Sequence, residues 1–222
     1  MSEDDRAARL VLSTIGEPGD PRLTSLVHDL GAVPVLAALR ETSDRDQAAS
    51  GLAARLAAAR PGSVLEAAER RGIRFVVPSD EEWPAGLEDL EQVTALHERG
   101  GMPVGLWARG PLRLDEALAG SCAVVGSRSA TTYGTGVAGE IGAALATAGT
   151  CVVSGAAFGI DQAAHRGALA ARGPTVAVLA CGVDRAYPAA HAQLLDYIAE
   201  TGLVISEAAP GCAPTRIRFL AR

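Results

Sequence analysis

The sequence predicts an α/β protein, a mostly parallel, doubly wound sheet preceded by a small all-helical segment. Three observations carry this. From Ser121 onward, short apolar runs at 122–126, 151–154, 175–180 and 203–206 alternate with stretches of helical spacing at 134–148, 159–172 and 189–200, and strands alternating with helices make a parallel sheet. The runs are apolar without alternation, as in strands covered on both faces. Over residues 1–71 the apolar residues follow helical spacing instead.

Taken in order, Arg6–Ile15 reads as a first helix and Gly16–Pro21 as a breaker. Leu23–Leu39 continues with helical spacing, interrupted by Gly31 and Pro34. Asp44-x-x-Gln47 and Ser63-x-x-Glu66 read as capping boxes, each opening an Ala/Leu-rich helix. Gly72 ends the last helix as a left-handed cap. Ile73–Val77 is β-branched and aromatic, hence a strand, and Pro103–Ala108 is a second, both in the main sheet. Asp80–Leu90 is a polar, Pro-interrupted turn leading into a short helix, and Pro111–Leu118 returns the chain to the sheet. Gly149, Gly173 and Gly202 each fall between a helix and the next strand, where helix-ending glycines belong.

Composition narrows the function. With 222 residues, 48% hydrophobic and 21% charged, the chain is globular and holds one large domain or a medium and a small one. Aromatics at 4% argue against a broad base-stacking platform. No apolar run reaches the length of a membrane span, and MSEDDRAARL lacks the order of a signal peptide; the reading is a cytoplasmic protein. Cys122, Cys151, Cys181 and Cys212 form no C-x-x-C pair, which argues against zinc, and three of them belong to apolar runs as small hydrophobes. The net charge of −6 is uneven: residues 1–120 hold 13 Arg against 20 acids, residues 121–222 hold 7 Arg against 6. There is no lysine, which excludes lysine-based phosphate loops and Schiff-base chemistry.

The chemistry-bearing stretch is Ser121–Asp161. Two strands that each end in small residues, with a helix between them, make a βαβ unit, and ligands of open α/β sheets bind outside the carboxyl ends of the strands. Gly126-Ser127-Arg128 and Ser154-Gly155 are therefore expected side by side there, with Gly155–Gly159 (GAAFG) as a second small-residue loop. Small residues let backbone N–H groups approach an anion, and one Arg supplies a fork. The arrangement reads as a phosphate site, best suited to single-stranded nucleic acid. Gly134-Thr-Gly136-Val-Ala-Gly139 matches G-x-G-x-x-G, but it lies well beyond its strand and no acid ends the next one, so a nicotinamide cofactor is not expected. These glycines read as letting the helix start close to the sheet. Asp161 and His165 have metal-ligand spacing without a third ligand, and Ser154, His165 and Asp161 lack a nucleophile elbow. Both are read as structural. Tyr187 and Phe158 offer either a base contact or a loop pin.

Taken together, Ala123–Arg128 (AVVGSR), Tyr133-Gly134, Ser154–Asp161 (SGAAFGID), Ala164-His165, Gly182 with Tyr187-Pro188, Ser206-Glu207 and Arg218-Phe219 resemble the DNA-processing protein A family, also called Smf. Trp83-Pro84 with Leu87 resembles the family's Tyr-Pro-x-x-Leu element. The resemblance covers about Gly72 to Arg222 and, more weakly, the helical front. It implies a helical, SAM-like domain over 1–71 and an extended Rossmann-like domain over 72–222. It implies a recombination mediator that binds single-stranded DNA, protects incoming strands and loads the RecA recombinase during natural transformation, with no catalysis, no cofactor and a homodimer. Carried over by position, Arg128 grips a phosphate with Ser127 and Ser154–Gly155 amides beside it, and Gly126, Phe158, Gly159 and Arg218 complete the nucleic-acid site. Many members carry a basic residue where this chain has Phe158. The alternative is a Rossmann-like enzyme or sensor for small nucleotides, although the P-G-G-x-G-T pattern of such enzymes does not occur. Gly211–Arg222 reads GCAPTRIRFLAR with no closing strand or helix. A missing C-terminal part is expected, with an uncovered strand edge and apolar face, and with Arg218 and Arg222 lacking what would hold them near Gly126–Arg128.

Overall fold

The computed structural model describes residues 3–45 and 51–222, the side chains of 43–45 excepted. The runs read as strands pair into one six-stranded sheet. Its strands are β1 (Ile73–Val76), β2 (Leu106–Arg109), β3 (Cys122–Ala123), β4 (Val152–Ser154), β5 (Thr175–Val178) and β6 (Leu203–Ser206), in the order β1-β2-β6-β5-β4-β3. β3 to β6 are parallel, while β1 and β2 extend the β6 edge in antiparallel register. The sheet is thus mixed and mostly parallel, with Trp107 fully buried between Phe75 and Ser206 as cross-strand neighbours.

The helices are α1 (Glu3–Ile15), α2 (Pro21–Leu30), α3 (Ala32–Arg45), α4 (Leu52–Ala58), α5 (Pro61–Glu69), α6 (Leu114–Leu118), α7 (Thr132–Thr147), α8 (Ile160–Ala170), α9 (Ala192–Thr201) and α10 (Arg216–Ala221). The three crossovers α7, α8 and α9 step in one direction along the sheet and share a face with α5 and Leu10 of α1, burying Ala177, Leu179, Val204 and Phe75. The other face, with Val176, Leu203, Ile205 and Leu106, is covered by Trp83, by the 3-10 turn at Ala85–Glu91 and by α6. A separate apolar cluster holds α1 to α3 together around Leu12. Each fully buried Leu, Ile or Val contributes about 1.5–3 kcal/mol.

Several expectations are corrected. Residues 3–69 form five described helices rather than about four. Asp44 belongs to the last turn of α3 and opens no helix, and Gln47 lies outside the described residues. Ser63 is not a cap either: α5 begins at Pro61, whose missing N–H suits a first helical position, and Ser63 Oγ donates back to Arg60 O at 2.8 Å. β2 starts at Leu106 rather than Pro103, because its register is set by pairing with both β1 and β6. β3 is two residues long. As an edge strand it pairs only with β4, and after the Val124 N–H bond to Val153 O the chain leaves the sheet with Val125 69% exposed. Arg216–Ala221, within the stretch read as having no closing strand or helix, is a short helix capped by Thr215, whose Oγ1 accepts from Arg218 N–H. Gly72 does end its segment in the left-handed region, at φ 66°.

The G-x-G-x-x-G glycines do not bring α7 to the sheet. Gly136 faces open space, and the close approach is of α7 to α8: a Cβ on Gly167 would collide with Gly139 O, and one on Gly142 with Ala164 O. Buried Cys151 and Cys181 pack in the core, where burial pushes both thiols up to about 11. Among the described residues no single helix is long and apolar enough to cross a membrane, and no cluster of three metal-ligating side chains occurs.

Candidate nucleic-acid interface

The loop after β3, Gly126–Thr131, and the loop after β4, Gly155–Gly159, meet at the carboxyl edge of the sheet. Each leads into a helix: Thr131 caps α7 by accepting Gly134 N–H (3.1 Å), and Gly159 caps α8. The loops are tied where Ile160 N–H donates to Ser127 O at 3.2 Å. That contact requires glycine at 159, which has φ 77°; a Cβ there would collide with Ser127 O and lie 2.8 Å from Arg128 O.

The interior of this junction is filled. Asp161, 4% exposed in the first turn of α8, accepts Gly126 N–H (3.4 Å) through Oδ1 and Ala157 N–H (3.3 Å) through Oδ2. The carboxylate thus takes one amide from each loop and occupies the position a buried phosphate would need. Gly155 lies beneath Arg222, whose Nη1 donates to Gly155 O (2.8 Å) and Val178 O (3.3 Å). A Cβ on Gly155 would sit 2.7 Å from that guanidinium carbon and 2.8 Å from Asp161 Oδ2. Burial lowers the Arg222 pKa, the Asp161 charge opposes the shift, and Arg128 adds to it.

Outside the junction the surface is cationic and aromatic. Arg128 is exposed, its guanidinium stands 4.9 Å from the centroid of the Phe219 ring, and no described acid lies within ion-pair distance of it. Arg222 stands over the same ring at 5.2 Å, and Tyr187 packs on it at 5.5 Å. A guanidinium on an aromatic face gains about 0.5–1 kcal/mol at an exposed site, so Phe219 steadies Arg128 without consuming its N–H donors. Ser127 and Arg128 are exposed residues, and their amides make no hydrogen bond with the described residues.

The sequence-derived residues therefore separate. Gly126, Ser127, Arg128, Phe158 and Gly159 come together at the rim. Ser154 is 2% exposed, with Oγ donating to Val124 O at 2.7 Å, so it supports the rim from below. Arg218 is not brought to the cluster. Its Nε and Nη2 pair with both carboxylate oxygens of Glu17 (3.0 and 3.2 Å) and its Nη1 donates to Ala213 O (2.6 Å), joining α10 to the loop after α1. The arginine that reaches the loops is Arg222, just after α10, and the aromatic is Phe219. Arg222, expected to lack what would hold it near Gly126–Arg128, is held there by Gly155 O and Phe219, and only the chain fold shows which side of α10 faces Glu17.

Ser154, His165 and Asp161 are not assembled as a triad. Thr175 Oγ1 donates to Val152 O (2.7 Å) and so accepts His165 Nδ1–H (2.7 Å). His165 is fully buried, and burial pushes its imidazole down to about 4. His191, 3% exposed, donates Nδ1–H to Ala156 O (2.9 Å), and Phe158 packs on it at 4.6 Å between ring centroids.

The fold is that of a Rossmann-like α/β protein with a helical front, carrying at the carboxyl edge of its sheet an exposed arginine with no acid partner among the described residues. The chain belongs to the DNA recombination-mediator protein A family, whose model matches residues 74–222. It is 43% identical over 224 residues to the putative DNA processing protein DprA of Mycobacterium tuberculosis, covering all of this chain and 58% of that protein. It is 30% identical over 156 residues to DNA processing protein DprA of Bacillus subtilis, covering 70% of this chain and 49% of the relative. The chain thus spans less than two thirds of either relative. Among solved structures, DNA processing protein A from Streptococcus pneumoniae superposes with a TM-score of 0.68 at 25% identity, over 98% of this chain and 72% of that one. The Helicobacter pylori protein, whose structure addresses its single-stranded DNA binding mode, gives 0.53 at 26% identity, over 67% and 62%.

Proposed function

We propose that this chain binds single-stranded DNA without sequence preference and serves as a recombination mediator that protects incoming strands and hands them to the RecA recombinase during natural transformation, working as a homodimer. The observation that carries the reading is Arg128. It is an exposed cation with no acid partner among the described residues, mounted on Phe219 beside the unbonded amides of Ser127 and Arg128. A fork and two amides suit one backbone phosphate. Family membership supports the DNA-processing role.

The small-nucleotide alternative fits less well. A mono- or dinucleotide held in the usual Rossmann manner sets its phosphate on the amides at the helix N-terminus. Here two of the amides at the loop junction already bind the Asp161 carboxylate. A phosphate on the outer rim meets no such competitor.

The test is a fluorescence anisotropy titration of labelled oligo-dT at several salt concentrations, beside titrations of AMP and NAD. Oligo-dT is expected to bind with log K falling linearly against log salt, at a slope of about −0.7 per phosphate neutralised. Arg128→Ala is expected to weaken every oligonucleotide alike and make the slope shallower by about one phosphate. Unchanged affinity in Arg128→Ala removes the site; saturation by AMP or NAD in place of oligo-dT removes the function.

A further inference from the structure

We propose that the ring of Phe158 is a stacking platform for one base of the bound strand, so that the rim takes a whole nucleotide, phosphate on Arg128 and base on Phe158. This rests on the single-strand reading above.

Phe158 is 45% exposed and belongs to none of the four apolar clusters, so core burial does not account for a phenylalanine at this position. It is nevertheless held firmly. Its ring packs on His191, which is buried and donates to Ala156 O in the same loop. Ala156 itself is fully buried with φ 53°, a left-handed conformation uncommon for a residue with a side chain, and the His191 bond secures it. The residue after Phe158 is Gly159, which lies against the carbonyls of Ser127 and Arg128. A half-exposed, braced aromatic ring therefore stands next to the loop that carries Arg128.

A base is the partner this pairing suits. Stacking on an aromatic ring is worth about 1–3 kcal/mol per base and tolerates any sequence, because every base has a π-face. A duplex offers its phosphates but keeps its bases stacked on one another, so the platform selects single strands over duplexes. The aromatic content of 4% argued against a broad platform, and one ring beside one arginine needs no broad platform.

The experiment is a cycle between protein and DNA. Wild type, Phe158→Leu and Phe158→Trp are titrated against oligo-dT, an abasic oligonucleotide of equal length, and a duplex. Leucine keeps apolar bulk against His191 but has no π-face, and thermal melting controls for folding. Phe158→Leu is expected to lose about fivefold or more in affinity for oligo-dT, with no loss on the abasic strand or the duplex and an unchanged salt slope, since stacking releases no counterion. Phe158→Trp is expected to restore the affinity and to report binding by its emission, because Trp83 and Trp107 are both buried. Equal affinity of wild type and Phe158→Leu for oligo-dT overturns the platform while leaving the Arg128 site standing. An equal loss on abasic and normal strands overturns it too. Failure of the wild type to bind oligo-dT overturns the single-strand reading itself, before any variant is compared.

Discussion

Replacing Asp161 by alanine tests whether the junction of the two loops is a self-filled anion site. The change removes the acceptor of Gly126 N–H and Ala157 N–H at once. Ala157 is 9% exposed, so its amide is left without a partner at a cost of about 1–3 kcal/mol. Gly126 is exposed and water replaces much of what it loses. Both bonds are long, at 3.3 and 3.4 Å, which keeps the total near the middle of that range, about 2 kcal/mol. For a chain of 222 residues that lowers the melting temperature by roughly 4–8 °C. The vacated position is bounded by two amides and the Arg222 guanidinium, and a small carboxylate should refill it. Formate at about ten times its dissociation constant would return about 1.4 kcal/mol to the variant and nothing to the wild type, whose site is taken. Asp161→Asn, with one oxygen acceptor left, is expected to fall between. The assay is thermal melting with and without formate. A variant melting within about 2 °C of wild type, or formate protecting both proteins equally, would refute the reasoning.

Three further outcomes follow from the packing. Gly167→Ala drives a methyl group into Gly139 O and is expected to cost about 1–3 kcal/mol, read as a lower urea midpoint at unchanged m-value. Arg218→Ala breaks the two-point pair with Glu17 and should cost about 1–3 kcal/mol of stability while leaving the salt slope of DNA binding as it was. Stability should also depend on pH in two opposed ways. His165, pushed down to about 4 by burial, leaves the folded chain unprotonated where the unfolded chain takes a proton near 6.5; this term is complete above about 6.5 and is lost as pH falls toward 4, at up to about 1.4 kcal/mol per pH unit. Glu207 runs the other way. Desolvation raises its carboxyl to about 7 from 4.5, opposed by the Gly19 N–H bond, so its contribution is present below 4.5 and lost as pH rises to 7. Glu207→Gln should therefore gain stability over wild type above pH 7, and denaturant midpoints across pH 4 to 8 check both signs.

What was legible in the sequence is what depends on near neighbours. The parallel strands were found because central strands must be apolar on both faces, and the loops met because successive parallel strands end at one edge. The extent of β3 was not legible: Cys122–Val125 is as apolar as a central strand, yet at the edge only two residues enter the ladder. Asp161 read as an ordinary first-turn acid, since the amides it binds come from residue 157 and from residue 126 in another loop. Choosing between Arg218 and Arg222 required knowing that Glu17, 201 residues away in the chain, faces one side of α10. The glycines of the G-x-G-x-x-G pattern do not bring α7 to the sheet, and the close approach falls at Gly142 and Gly167 between α7 and α8, because helical spacing alone does not say whether a sheet or another helix lies opposite.

The backbone contact between α7 and α8 bears on how fast the site can work. Each half of the rim is the leader into one of these helices, and glycine carbonyls and bare Cα atoms hold the helices together behind the rim. If the proposed site binds a strand, the backbone spacing between residues 128 and 158 is thereby set when the chain folds, and no closing movement of the two loops is expected on binding. Association should then be a single bimolecular step, with an observed rate that climbs in proportion to strand concentration and shows no plateau from a preceding rearrangement.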